Sequence, residues 1–297
     1  MNIGIFVARR KALKISQVKL CTGICTQATL SKFENNNRVP SLTILSKLCV
    51  RLGLTVDDLY QESAETAVQL RHDLDNIEKE LMMENYQAVL KQLAKIKINQ
   101  IDEINVKMQF CYLRGCVNAL VNQQPDKILF DFAQILNDLD ERHQTIFTQL
   151  AFLGSGIMYA RHQETQQAEF YFEKVYQHIK AYHPDDHLDE PNQYYLRMLT
   201  LIFFTAEFYA GQEKYRLSNQ LVDTGVQLCS DERVTYYLPR LKFLATQNAV
   251  NQGKQPATIQ RLMDETLAFT RINQNEVIEV KLAALKCQYN RQVAENK

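Results

Sequence analysis

Glycine and proline are scarce, 9 and 6 in 297 residues, and the prolines stand mostly where a helix can begin or end. That points away from turn-rich folds and towards an all-α chain. No apolar run stands behind a basic stretch at the start, so no signal peptide is expected. Long hydrophobic runs are missing too. The most apolar segment, 194–210, is interrupted by Arg197 and Glu207 and is short for a bilayer crossing. It reads as a buried helix of a soluble, cytoplasmic protein with no membrane partner.

A cysteine-pairing pattern is also missing. The seven cysteines are odd in number and widely spread through mostly apolar patterns, which speaks against a secreted disulfide scaffold and favours reduced thiols. Cys21 and Cys25 form a C-x-x-x-C, which raises a zinc or redox role. The first 60 residues hold no histidine, so four ligands cannot be assembled locally, and core packing is favoured. There is no G-x-x-x-x-G-K-[ST] loop. Gly154-Ser155-Gly156 lies inside a helical pattern, where small residues serve close packing. The stretch 183–191, with His183, Asp185, Asp186, His187, Asp189 and Glu190, can attract a divalent cation but reads as a solvated loop. No nucleophile–base pair stands out, so neither an enzyme nor a cofactor is expected.

What is present is an uneven distribution of charge. The chain is neutral overall, yet residues 1–60 hold nine Lys/Arg against Glu34, Asp57 and Asp58, leaving 25 basic and 31 acidic residues for the rest. A basic head on an acidic body gives a polyanion partner to the head alone.

The head reads as five short helices. Ile3, Phe6 and Val7 form an apolar stripe, and Ser16 is placed to cap a second helix. A break at Thr22-Gly23 precedes Thr26, a candidate cap for a third helix with Leu30 and Phe33 inward. Asn35-Asn36-Asn37 signals a loop. Pro40-Ser41 leads into a fourth helix carrying Leu42, Leu45, Leu48 and Leu52, which Gly53 stops. A short fifth helix follows over 55–60.

Two short helices across a tight turn in a basic bundle describe a helix-turn-helix reader. Ile15-Ser16-Gln17, Ser31-Lys32-Phe33-Glu34-Asn35, Arg38-Val39-Pro40-Ser41 and the run from Gly53 to Leu59 resemble the phage-repressor-like (Cro or XRE) domain. Where that family usually has glycine in the turn, this chain has Ile24, with Gly23 one place earlier. The run 23–27 is similar to the variant of the PlcR-like branch of peptide-sensing regulators. By register, Thr26, Gln27, Ala28 and Thr29 face base edges in the major groove. Gln27 can pair with adenine, and Ala28 and the threonine methyls can meet a thymine methyl. Lys32, Asn36, Asn37 and Arg38 lie where phosphates pass, and Gln17 offers a further phosphate contact. Thr26 can equally be only a cap, and Lys32 only a solvated residue.

The expected division is a helix-turn-helix domain over 1–62, a linker helix over 63–83, and a repeat domain over 84–297 for ligand binding and dimerisation. Phe152, Gly156, Tyr159, Ala168 and Phe172 fall at the spacing of a tetratricopeptide unit, and Ile202, Ala206, Tyr209, Ser218 and Val222 repeat it. Gly115 begins the series and a weaker unit spans 239–270, with a capping helix over 275–291. Whether Pro239 begins or kinks its helix stays open. Such helical pairs build a solenoid whose first helices line a concave face. In this register the face carries Tyr112, Leu153, Ile157, Arg161, Phe203, Phe204, Glu207, Asn248 and Asn251. An apolar trough with a few polar groups suits a short extended apolar peptide, with Arg161 for its carboxylate and the asparagines for its backbone. Leu153, Phe203 and Phe204 can instead be core between helices.

A helix-turn-helix head on a tetratricopeptide-like body resembles the peptide-pheromone regulators of Gram-positive bacteria, the group that contains Rgg, PlcR, NprR and PrgX. The resemblance implies a homodimer on an inverted-repeat operator, controlled by an imported peptide. Two other readings compete with it. In one the body only dimerises or binds a protein partner. In the other the head is vestigial and the chain is an interaction protein, which the basic recognition helix opposes.

Overall fold

The structure is a computed structural model that describes residues 1–35, 38–182 and 194–295, with backbone alone at 60–67 and 100. Helices carry the architecture, and no strand occurs among the described residues. The chain divides into two units, Met1–Asp73 and Leu74–Lys297.

The first unit opens with α1 (Ile3–Ala12), α2 (Gln17–Cys21), α3 (Gln27–Glu34) and α4 (Leu42–Arg51). Their starts are set by side-chain caps: Ser16 accepts from the Lys19 amide, Thr26 from Thr29 and Ser41 from Ile44. Gly23 has φ +73° in the turn and Gly53 has φ +67° after α4. Both take a left-handed conformation that glycine adopts without penalty. Phe6, Leu20, Leu30, Phe33, Leu45, Leu48 and Leu52 form the core, with Phe6 edge-on to Phe33 at 5.1 Å. Cys21 is buried in this core and Cys25 packs against it, which explains both cysteines as packing residues.

The expected short fifth helix and the linker are one element, α5 (Asp58–Met82). The division between units falls inside it, at 73/74, rather than at 62 and 83. From Leu74 onward it buries Leu74, Ile77, Leu81 and Met82, so the repeats begin in the segment read as linker.

The second unit is a row of helical pairs. The latter half of α5 is followed by α6 (Tyr86–Leu93), and α7 (Ile104–Leu120) pairs with α8 (Pro125–Ala133), which runs on as a π turn over Gln134–Leu139. Next come α9 (Ile146–Arg161) with α10 (Thr165–Ala181), and α11 (Tyr194–Gly211) with α12 (Tyr215–Asp231). The last pair is α13 (Leu238–Asn251) with α14 (Pro256–Ile272), capped by α15 (Glu276–Glu295). Pro239 lies in the first turn of α13, so it begins that helix and does not kink it.

A left-handed residue follows each first helix: Glu84, Asn122, Gln163, Glu213 and Gly253. These turns fix the repeat register independently of side-chain type. They place Gly115, Gly156, Ala206 and Thr246 at equivalent positions, seven residues before their turns. First helices contact first helices along the row, from α7 through α9, α11 and α13 to α15, while each second helix contacts the next first helix. The first helices therefore line the inner face, as in tetratricopeptide solenoids.

Candidate nucleic-acid interface and the inner face of the repeats

The N-terminal turn of α3 presents Thr26, Gln27 and Ala28 to solvent, with Thr29 half-buried. Thr26 is committed as a cap, and its hydroxyl also lies 2.9 Å from that of Thr29. Gln27 is held in place. Its Nε2 donates to Gln17 Oε1 at 3.3 Å, and Gln17 Nε2 donates to Glu34 Oε2 at 2.8 Å. Arg10 then closes on both oxygens of Glu34, at 2.6 and 2.7 Å. A chain from α1 through α3 and α2 thus fixes two amides at the two helix N-termini. Burial alone would raise the Glu34 carboxyl, but hydrogen bonds from Arg10 and Gln17 outweigh it and hold the group below the usual range.

Lys32 and Arg38 are exposed at the flanks, where phosphates can be met. Asn36 and Asn37 lie outside the described residues. Charge counting hides one distinction. Arg9 donates to the Leu52 carbonyl, Arg10 binds Glu34, and Arg51 donates to the carbonyls of Leu20 and Thr22. These three arginines hold the head together through their guanidinium groups, although Arg9 and Arg51 are exposed like Lys11, Lys14, Lys19, Lys32 and Lys47.

The inner face differs from the expected trough. Tyr112 and Leu153 have no exposed surface, and Ile157, Phe203 and Phe204 are also buried. In this conformation they pack within the body instead of lining an open groove. Asn248 is buried as well, and its amide donates to Ser218 and Asn219 on α12 at 2.8 Å. The reason is a one-residue slip in the last unit. Placing Asn248 on the face requires Gln247 at the small position, but the turn at Gly253 puts Thr246 there, and one residue turns a side chain by about 100° around a helix. The slip moves Asn248 off the inner face and brings Arg240 onto it, in register with Gln109, Leu150 and Thr200. Arg161, Glu207 and Asn251 remain exposed. The acidic stretch 183–191 lies outside the described residues.

Residues missed in the sequence make up the polar centre of this face. Arg240 is 3 % exposed and stacks over Phe203 at 4.0 Å, with Phe204 and Tyr237 also beneath it. Arg197 lies over Phe147 and donates twice to Glu78, which also accepts from Gln109. Glu84 bonds Lys281 at 2.9 Å. Glu207 is exposed, but the protein around it desolvates its carboxyl. That desolvation, helped by Glu84 and opposed by Arg240, raises its pKa. Burial likewise pushes Tyr86 up to about 12. The spacing of turn residues back from Asn122 to Glu84 was the available signal for this first repeat.

The helix-turn-helix family model matches residues 8–59, so the head is a helix-turn-helix domain by both geometry and sequence. No curated protein matches the chain. Among solved structures the chain is similar to ComR from Streptococcus vestibularis in complex with its cognate signaling peptide XIP. They share 17 % identity over 96 % of this chain and 97 % of that one, with a TM-score of 0.64. ComR from S. thermophilus, in complex with DNA and its signalling peptide ComS, shares 15 % over 97 % and 100 %, with a TM-score of 0.59. PlcR from Bacillus thuringiensis, in complex with the peptide PapR7 and DNA, shares 14 % over 94 % and 98 %, with a TM-score of 0.58. At these identities the likeness is one of fold. No described helix is long and apolar enough to cross a membrane.

Proposed function

We propose that this chain is a cytoplasmic, sequence-specific DNA-binding transcriptional regulator whose repeat body binds a short signalling peptide that modulates operator binding. The observation that carries the DNA half is the Gln17–Gln27 pair, fixed by Glu34 and Arg10 at the exposed start of α3. A pre-set amide at that place can read adenine without first losing rotamer freedom. The peptide half rests on the likeness of the whole chain to proteins solved with signalling peptides. Arg161, Glu207 and Asn251 are the polar contacts it offers, and the buried Ile157, Phe203 and Phe204 become apolar ones only when the face opens. A homodimer on an inverted repeat follows from one reading helix per half-site. On this reading the chain is a regulator and not an enzyme, and it needs no cofactor.

The test is binding to a duplex selected from random sequence, beside an unselected duplex. Gln27→Ala is expected to weaken the selected site by roughly tenfold to a hundredfold and to leave the unselected one nearly unchanged. Lys32→Ala should weaken both alike and lower the salt slope by about 1. Equal losses on both duplexes for Gln27→Ala would remove the base-reading role.

The burial of Tyr112, Leu153 and Phe203 favours a second reading, in which the body only dimerises or binds a protein partner. A neighbouring reading frame for a short secreted precursor, with a synthetic peptide from it that changes operator affinity, separates the two. No change in affinity favours the second reading.

A further inference from the structure

The turn between the two helices of the first repeat touches the far end of the row. Glu84 stands in that turn at φ +64°. Its Oε1 accepts from Lys281 of α15 at 2.9 Å and lies 3.9 Å from Arg240 of α13. Two residues earlier in the chain, the Met82 carbonyl accepts from Arg240 at 3.4 Å. Further back, Glu78 of the first repeat is doubly bonded to Arg197 of the fourth. The first repeat is thus tied to the fourth, the fifth and the cap, so the inner face closes on itself.

In a solenoid each repeat is held by its neighbours, and the stability of the row is approximately a sum of such neighbour terms. Ties between first and fifth repeats are additional to what folds the row and can part without unfolding it. Their chemistry differs from that of neighbouring repeats as well. Adjacent pairs meet through stacked aromatics such as Phe172 and Phe208 and through exposed ion pairs such as Lys214–Glu169, whereas the closure is made by ion pairs of buried side chains. It is also incompletely satisfied: Glu84 Oε2 is sealed from solvent with no hydrogen-bond partner among the described residues. A buried carboxylate oxygen left unpaired costs free energy that an open state recovers from water.

We propose that Glu84 and Glu78 form a latch that holds the inner face of the repeats shut, so that this face admits a ligand only after their links to Arg240, Lys281 and Arg197 part. Parting leaves Arg240 and Arg197 on their aromatic platforms, on helices that do not move with the first repeat. The ligand admitted is then one whose carboxylate takes the place of Glu84 or Glu78. The ligand's being a peptide rests on the function proposed above, but the latch does not.

The test therefore uses neither ligand nor DNA. Spin labels on the exposed Cys287 and on Gln87→Cys, with Cys25→Ser, report the distance across the closure by pulsed electron resonance in the full chain; the other five cysteines are buried. One short distance is expected. Glu84→Gln should raise a second, longer population about tenfold, and the half-exposed Lys281→Gln about threefold. Lys281 is a surface side chain, so its variant keeps the fold even where Glu84→Gln does not. A distance distribution that stays single and short in Lys281→Gln overturns the latch, whatever Glu84→Gln does.

Discussion

Gly154→Ala is expected to lower the stability of the repeat body by about 3 kcal/mol, at the upper end of what overpacking costs. Phe132 of α8 is wedged between the inner helices α7 and α9. It meets Gly115 on one side and Gly154 on the other, and only 1 % of it is exposed. A Cβ on Gly115 would stand 2.6 Å from the ring, and one on Gly154 closer still. The ring is buried between two backbones, so making room for a Cβ pushes α7 and α9 apart. Gly211→Ala is the control. That glycine has open space and ordinary dihedrals, and alanine there should stabilise by about 0.5–1 kcal/mol. Denaturant unfolding followed by helical circular dichroism measures both. A Gly154→Ala chain as stable as the parent would remove the wedge from the account. In Gly154→Ala, Phe132→Leu should recover part of the loss by making room.

The wedge was only half legible in the sequence. Gly154-Ser155-Gly156 inside an apolar helix announces close packing, and so does the recurrence of Gly115, Gly156 and Ala206. Which ring fills the space depends on α8, whose apolar face has no repeat signature. Legibility followed chemistry elsewhere too. Ser16, Thr26 and Ser41 have one strong local use, as caps, and all three serve it. The first repeat stayed hidden because Leu74, Ile77 and Leu81 form a stripe that any amphipathic helix shows. The last repeat slipped by one residue because Thr246 is a less obvious small residue than glycine or alanine. That slip cost the inner face its central arginine, Arg240. Charge is the other limit. Counting nine basic residues in the head predicts a polyanion partner, but it cannot tell Lys32 from Arg9 or Arg51, whose guanidinium groups satisfy carbonyls.

Arg10 carries the second large effect. Its guanidinium grips Glu34, whose side chain is only 6 % exposed, and removing it leaves a nearly buried carboxylate with Gln17 as its remaining partner. Arg10→Ala should cost the head about 3 kcal/mol, the low end for breaking a buried pair. It should also free the Gln17 amide and so the Gln27 contact. The selected duplex then loses more affinity than the unselected one, although Arg10 need not touch DNA. The same network sets a pH dependence. Glu34 titrates below its ordinary 4.5 in the folded head. Its contribution to stability is full above that ordinary value and fades as pH falls through the depressed folded one. In Arg10→Ala the fade should begin at higher pH, because less charge holds the carboxylate ionised. Stability and reading can be separated with Arg10→Met combined with Glu34→Leu, an apolar pair that recovers stability but cannot orient Gln17. If that double variant still prefers the selected duplex as strongly as the parent, Glu34 does not position the reading amides and the pair serves stability alone.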